Sequence, residues 1–228
     1  MMTSQEVSVI LLCGGQGLRM QNATPKQFLT LHNKIIATYS LDVFKALPEV
    51  IEIVVVCDLA YQKFFASPEL SVPLKFACPG RHRQDSVFNG LKALTSQAGF
   101  VCIHDSARPI ITPPLVQRVL KAAFQHGAAA AGMPIKFTIK EHDGNHIVKH
   151  TPDRSTYWEV QTPQVVRKDI LEQGFAYALK NHLKVTDDVS LVEHLGHPVK
   201  LVEGCYTNLK ITTAEDLILA KYLLNKPI

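Results

Sequence analysis
The residues best suited to chemistry lie close to the start of the chain. Gly14-Gly15-Gln16-Gly17-Leu18-Arg19-Met20 directly follows the apolar run Val7–Cys13. A strand, a glycine turn and a helix is how α/β folds offer backbone N–H groups to phosphate. Two familiar phosphate motifs are excluded. A Walker A loop needs Gly-Lys-Ser/Thr after its spacer, which is absent, and a dinucleotide fingerprint from Gly15 would need a glycine where Met20 stands. What remains is a basic follow-up, with Arg19 in the loop and Lys26 in Pro25-Lys26-Gln27-Phe28-Leu29. Two cations beside glycine N–H groups suit a triphosphate attacked at its α-phosphorus. They offset charge that grows on the equatorial oxygens and on the leaving pyrophosphate. A tight strand-to-helix turn with two solvated cations is the structural alternative.

A second group ends the apolar run Phe100–His104, in His104-Asp105-Ser106-Ala107-Arg108-Pro109. Ligand sites in open α/β sheets lie outside the carboxyl ends of strands, which suits Asp105 and Arg108. A hard carboxylate oxygen fits Mg²⁺, whose other ligands are usually waters and phosphate oxygens. Otherwise Asp105 caps the next helix and Arg108 pairs with a carboxylate. His104 points the other way in a strand and is expected to be buried and hydrogen-bonded. Backbone groups at Gly80 and the Ser86 hydroxyl offer the donors and acceptors that a base edge needs. They also fit a turn after Pro79 and a first-turn polar residue. Arg83 either touches a ligand or braces this loop. Thr186 reads as a helix N-cap, with Asp187 and Asp188 in the first turn. Lys210 lies between Leu209 and Ile211 and faces away from both if the segment is extended.

These groups need a scaffold, and the pattern supplies one. Val7–Cys13, Ile51–Cys57, Leu74–Cys78 and Phe100–His104 are continuous apolar runs, as in strands covered on both faces. Helical stretches alternate with them at Ile35–Leu47, Leu59–Phe65, Gln84–Gln97 and Pro113–His126, the last opening on prolines. Strand alternating with helix implies a Rossmann-like α/β fold with a mostly parallel central sheet. After Ala128 the pattern changes. Residues 136–158 read as an extended β-hairpin arm, Phe137–Lys140 against His146–His150, turning at Asp143-Gly144 or Gly144-Asn145. An arm with little apolar content has no obvious core of its own, so it is expected to pair with a second subunit. Alternation resumes with a strand at Gln161–Arg167, helices near Lys168–Lys180 and Thr186–Leu195, and a strand at Pro198–Val202. A last helix starts at Ala214, where Thr213 and Asp216 form a capping box. One domain accounts for residues 1–228.

Composition narrows the classes. The 228 residues carry 24 Lys plus Arg against 20 Asp plus Glu, a formal net charge of +4. That excess is too small for a chain that coats nucleic acid, and aromatic-basic interleaving is absent. Seven of the 24 basic residues, Arg19, Lys26, Arg81, Arg83, Arg108, Arg154 and Lys210, fall in the chemically suggestive segments, so the excess reads as one focused polyanion site rather than a diffuse basic surface. An apolar fraction of 46% argues against disorder. Five cysteines without a CxxC pair argue against a disulfide framework or a zinc site, and point to a reducing, cytoplasmic compartment. Cys13 is expected to be an inert core thiol. The run Val7–Cys13 is too short to span a bilayer, so no membrane association is expected.

Taken together, the motifs resemble those of the polyol-phosphate nucleotidyltransferases, and more narrowly the 2-C-methyl-D-erythritol 4-phosphate cytidylyltransferases of non-mevalonate isoprenoid precursor synthesis. The resemblance spans nearly the whole chain. It rests on Gly14–Met20, Pro25–Leu29, Gly80-x-x-Arg83-x-x-Ser86-Val87, the segment 104–109, Arg154-x-x-x-Trp158, Gln161-Thr162-Pro163-Gln164, Thr186-Asp187-Asp188, Glu203-Gly204 and Asn208-x-Lys210-x-Thr212. It implies CMP transfer from CTP, with Arg19, Lys26 and Arg154 catalytic. It places Gly14, Gly15, Gly17, Gly80, Ser86, Asp105 and Lys210 at CTP. Asp105, Arg108, Thr138, Arg154, Thr162 and Thr186 fall at the acceptor, and Asp105 holds Mg²⁺ or another divalent cation. It also implies a homodimer in which the arm, carrying Thr138 and Arg154, completes the partner's site. Cys13-Gly14 stands where the family often has two alanines, and Gly-Gly at this point is also frequent in the related ribitol 5-phosphate cytidylyltransferases, so the loop does not settle the acceptor. Arg154-x-x-x-Trp158 favours the methylerythritol acceptor. An inactive nucleotide-binding regulatory protein is the alternative of a different class.

Overall fold
The computed structural model describes residues 5–15, 24–65 and 72–225. In chain order it contains β1 (Val7–Leu12), β2 (Thr30–Leu31), β3 (Lys34–Ile35), α1 (Ile36–Lys45), β4 (Val50–Val56), β5 (Leu74–Ala77), α2 (Arg83–Ala93) and β6 (Phe100–Asp105). Then follow α3 (Pro113–His126), β7 (Ala128–Pro134), β8 (Glu141–His142), β9 (Val148–His150), β10 (Trp158–Arg167), α4 (Lys168–Lys180), α5 (Ser190–Glu193), β11 (Lys200–Glu203) and α6 (Ala214–Leu224). Seven strands form one sheet in the order β11-β7-β10-β6-β1-β4-β5. β10 alone runs antiparallel to its neighbours, so the sheet is mostly parallel as the alternation implied.

The apolar runs are strands because both of their faces are covered. Val9, Leu11, Ile53 and Val55 point into one core layer beneath α1 and α3, while Ile10, Val54, Val56, Val101 and Ile103 point into the other, beneath α2 and α4. A third cluster seats α6 on Leu31, Ile36, Ile110 and Ile211. The capping box of α6 is present, with Thr213 N–H donating to the Asp216 carboxylate at 2.9 Å. From β1 the chain moves outward to β4 and β5, then returns to place β6 on the other side of β1. The loops leaving β1 and β6 therefore diverge, which opens a crevice at their carboxyl ends.

Several expectations need correction. Leu59–Phe64 is a 3₁₀ helix. The second predicted helix after β10 shrinks to the single turn of α5, so Thr186 is not its N-cap. Val189 is the N-cap and makes no side-chain cap bond, while Asp187 accepts from the Ser190 N–H at 3.2 Å and from its hydroxyl. The arm pairs Glu141–His142 with Val148–His150 rather than beginning at Phe137, and β10 already starts at Trp158. Phe137 and Ile147 on the arm are 77% and 67% exposed.

The opposite end of the sheet holds a buried carboxylate, Glu52 on β4. It accepts from the Ser8 hydroxyl, from Lys75 Nζ at 2.6 Å and from the Thr95 and Ser96 N–H groups at 3.0 and 3.2 Å. Burial alone would raise its pKa, but Lys75 and these N–H groups outweigh burial and lower it to about 2. The folded state thus binds the Glu52 proton more weakly than the unfolded chain does. Its stabilisation is complete above pH ~4.5 and is lost as pH falls toward ~2, roughly 3 kcal/mol in all. Glu52→Gln is expected to flatten the acid limb of a stability–pH curve in that window. An acid limb that is unchanged in the variant would contradict this assignment.

Candidate active site
Cys13 directly follows β1 and is buried, its N–H bonded to the Val56 carbonyl at 2.9 Å. Burial pushes its thiol far above the usual range, so it is the inert core thiol expected. Gly14 follows, and a Cβ there would sit 2.4 Å from Pro79 Cβ. Only glycine lets the β1 loop and the β5 loop touch. A Cβ at Gly15 would meet nothing within 4 Å, so that position faces open space. Gln27 staples the Pro-Lys-Gln segment to this loop, donating to the carbonyls of Cys13 at 2.5 Å and Gly15 at 2.8 Å. Phe28 anchors the same turn by stacking on Tyr61, ring centroids 4.0 Å apart. Lys26 immediately precedes these two anchors and is partly buried. Gly17 and Arg19 lie outside the described residues.

The β5 loop is braced from within. Ser86 Oγ accepts the Gly80 N–H at 3.0 Å and donates to the His82 carbonyl at 3.2 Å. A Cβ on Gly80 would overlap Asp85 Cβ at 2.2 Å, so glycine is required where the chain presses on the start of α2. Asp85 accepts the His82 N–H at 2.9 Å, which caps that helix.

Asp105 ends β6 at the crevice. Its carboxylate accepts from Arg83 Nε at 3.2 Å and from Lys210 Nζ at 2.7 Å. Burial would raise its pKa, but Arg83 and Lys210 hold it well below the usual carboxylate range. Lys210 does face away from Leu209 and Ile211, which pack into the α6 cluster. Arg83 grips Asp188 with both terminal nitrogens at 2.8 Å, so it braces the loop, as one of its two readings had it. Gln164 fixes Asp188 in turn, its Oε1 accepting the Asp188 and Val189 N–H groups at 2.8 and 3.1 Å. Three cations, Arg83, Arg108 and Lys210, thus meet two carboxylates, a locus that a polyanion would complete.

Thr162 on β10 closes the floor. Its hydroxyl accepts the Asp105 N–H at 3.1 Å and lies 3.0 Å from His104 Nδ1. Burial lowers the His104 pKa to about 3, so the imidazole is neutral and positions Thr162, in line with the expectation of a buried histidine. Arg108 donates from Nη1 to the Asn208 carbonyl at 2.7 Å, while its Nε is buried without a hydrogen-bond partner among the described residues. The Asn208 amide donates to Gln161 Oε1 at 3.0 Å and to the Thr162 carbonyl at 2.9 Å. Asn208 therefore ties together the segments that carry Arg108, Thr162 and Lys210.

Gly14, Gly80, Ser86, Asp105, Arg108, Thr162 and Lys210 thus occupy connected segments of one crevice. Thr186 is exposed beside Asp187. Thr138 and Arg154 are exposed on the arm, and Arg154 Nη1 bonds the Lys136 carbonyl at 2.6 Å, within the arm itself. Sequence reasoning misses the roles of Asp188 and Gln164: both stand in the sequence motifs, but the first reads as a helix-turn residue and nothing local says what the second holds. For a divalent cation, no group of three or more His, Cys, Asp or Glu side chains is arranged to hold one among the described residues. A single ionised Asp105, with a lone pair left on each oxygen, fits a Mg²⁺ that draws its other ligands from water and phosphate.

Comparison with known proteins completes this geometry. Residues 7–226 match the family model described as IspD, 2-C-methyl-D-erythritol 4-phosphate cytidylyltransferase. The chain belongs to this family. A chloroplastic 2-C-methyl-D-erythritol 4-phosphate cytidylyltransferase of Oryza sativa is 50% identical over 224 residues, 97% of this chain and 75% of the relative. The 4-diphosphocytidyl-2C-methyl-D-erythritol synthase of Anaerococcus prevotii superposes with a TM-score of 0.86 at 29% identity, covering 97% of this chain and 99% of that one. The 2-C-methyl-D-erythritol 4-phosphate cytidylyltransferase of Thermus thermophilus gives 0.79 at 33% identity, covering 97% and 100%. The IspD fold therefore extends over the sheet, the crevice and the arm together. Among the described residues no helix is long and apolar enough to cross a membrane.

Proposed function
We propose that the protein transfers CMP from CTP to 2-C-methyl-D-erythritol 4-phosphate, releasing pyrophosphate, in isoprenoid precursor synthesis. The observation that carries this reading is Asp105, kept ionised between Arg83 and Lys210 beside the open Gly14-Gly15 turn. An acceptor phosphate oxygen attacks the α-phosphorus of CTP in line. The new O–P bond forms as the bond to the bridging oxygen of the β-phosphate breaks, and pyrophosphate leaves. A phosphate is already anionic, so no general base is needed, and positioning and charge neutralisation supply the rate.

Backbone groups at Gly14, Gly15 and Gly17 cradle the triphosphate. Arg19 and Lys26 offset the charge that develops on it. Gly80 and Ser86 present polar groups to the base, and Lys210 contacts the nucleotide beside Asp105. Asp105, Arg108, Thr162 and Thr186 form the acceptor side. Mg²⁺ or another divalent cation, bound through Asp105, would supply further neutralisation of the phosphates. The exposed Phe137 and Ile147 support an arm that packs on a second copy, delivering Thr138 and Arg154 to that copy's crevice. Five free thiols support a reducing, cytoplasmic setting. Pyrophosphate release is the test. It is expected with CTP and 2-C-methyl-D-erythritol 4-phosphate and not with CTP alone. Faster release with ribitol 5-phosphate would transfer the acceptor assignment to that polyol. No release with either acceptor would leave an inactive nucleotide-binding protein.

A further inference from the structure
Cysteines that are far apart in sequence stand side by side in the sheet. Leu12 pairs with Val56 across β1 and β4, and Val56 pairs with Ala77 across β4 and β5. The bonds from Cys13 N–H to the Val56 carbonyl (2.9 Å) and from Cys57 N–H to the Ala77 carbonyl (3.0 Å) carry that register one residue further. Cys13, Cys57 and Cys78 therefore form a row across three neighbouring strands, at the base of both nucleotide loops. They also share a face. Leu11, Cys13, Val55 and Cys57 lie in one core layer, Phe76 packs against the same layer, and Ala77 packs against the opposite one. Alternation along the strand places Cys78 on the Phe76 side. Neighbouring strands are about 4.8 Å apart, inside the roughly 4.4–6.8 Å Cα separation of bridged cysteines. The thiols also sense each other. Burial, then Asp58 and Cys78, push the Cys57 thiol up to about 12.

Accessibility sets the order of events within the row. Cys13 and Cys57 are buried and Cys78 is exposed, so Cys78 alone meets a dissolved oxidant. β4 is central and buried, whereas β5 is the edge strand and only partly buried. Any closure of this pair must move the β5 end. The residues immediately after Cys78 are Pro79, which packs on Gly14, and Gly80, which Ser86 holds.

We propose that Cys57 and Cys78 form a reversible disulfide under hydroperoxide, which displaces the Pro79-Gly80 loop and switches off nucleotide turnover. The Cys78 thiol gives up its proton and the thiolate attacks the peroxide. An S–O bond forms, the O–O bond breaks, and the departing hydroxide (or alkoxide) takes up that proton as water (or an alcohol), with Cys78 as sulfenic acid. The Cys57 sulfur then attacks the Cys78 sulfur. The S–S bond forms, the S–O bond breaks, and the Cys57 proton departs with the hydroxide as water. Two thiols lose two electrons and one peroxide gains them. A bridge that strains its strands is readily reduced, which makes the change reversible. The effect on turnover rests on the nucleotidyl-transfer reading; formation of the bridge does not.

The test treats the reduced protein with hydrogen peroxide, alkylates the remaining thiols and maps the peptides by mass. The expected result is a Cys57 peptide linked to the Cys78 peptide. CTP turnover should fall by about tenfold or more and return with dithiothreitol. Cys78→Ser should keep reduced activity and resist peroxide, while Cys57→Ala should stop at a Cys78 sulfenic acid that dimedone traps. Absence of the Cys57–Cys78 link would overturn the proposal, and so would a link with unchanged turnover. If the reduced protein itself fails to release pyrophosphate, the functional reading falls, while the peptide map still decides the bridge.

Discussion
Lys26→Ala is expected to lower kcat by about 10²–10³-fold, the usual cost of removing one preorganised donor from a developing negative charge. Lys26 is followed at once by two fixed points, Gln27 on the Cys13 and Gly15 carbonyls and Phe28 on Tyr61. Those anchors belong to other side chains, so the turn keeps its place when the lysine is truncated. Stability should stay within about 0.5 kcal/mol of the parent, as for most substitutions outside the core. The KM for CTP should rise less than kcat falls, because the interaction strengthens as charge moves onto the leaving pyrophosphate. Steady-state kinetics and a thermal melt on the same preparation settle it. Wild-type turnover in the variant would remove Lys26 from the mechanism.

The second large effect concerns stability. Arg83→Met is expected to cost about 3 kcal/mol, the lower part of the range for breaking a buried ion pair, since the guanidinium keeps some contact with solvent. It leaves Asp188, which is 2% exposed, without its bidentate partner, and it takes one of two cations from Asp105. Burial already raises the Asp188 pKa against the pull of Arg83, and loss of Arg83 would raise it further. For a chain of this size the melting temperature should drop by about 10 °C. The double variant Arg83→Met, Asp188→Leu should recover part of that loss, because no orphaned charge remains. A single variant that melts with the parent would show that the pair does not hold the crevice together.

Much of this is legible in residue patterns, and the exceptions have physical reasons. β1, β4 and β6 are legible because strands buried on both faces carry uninterrupted apolar residues. β7 is not, since its core is a run of alanines with low strand propensity, buried only because β10 and β11 flank it. The short β2–β3 pair leaves no pattern because its strands are two residues each, and its turn relies on positive φ at His32 and Asn33. α5 is shorter than expected because Asp188, which reads as a helix-turn residue, is drawn instead to Arg83 across 105 positions of sequence. At the site, Asp105 and Lys210 are visible from their placement after and within extended segments. The supporting work of Gln164 and Asn208 is not, because amide side chains carry no local pattern, and their partners lie 24 to 47 residues away.

The central claim is that an acceptor phosphate oxygen displaces pyrophosphate from the α-phosphorus of CTP in this crevice. It is tested most directly with 2-C-methyl-D-erythritol 4-phosphate labelled with ¹⁸O in its phosphate, followed by ³¹P NMR of the products. All of the label is expected in the diphosphate of the cytidylyl product, including the new bridge to the α-phosphorus, with none in pyrophosphate. Label in the released pyrophosphate, or an unlabelled bridge, would contradict it.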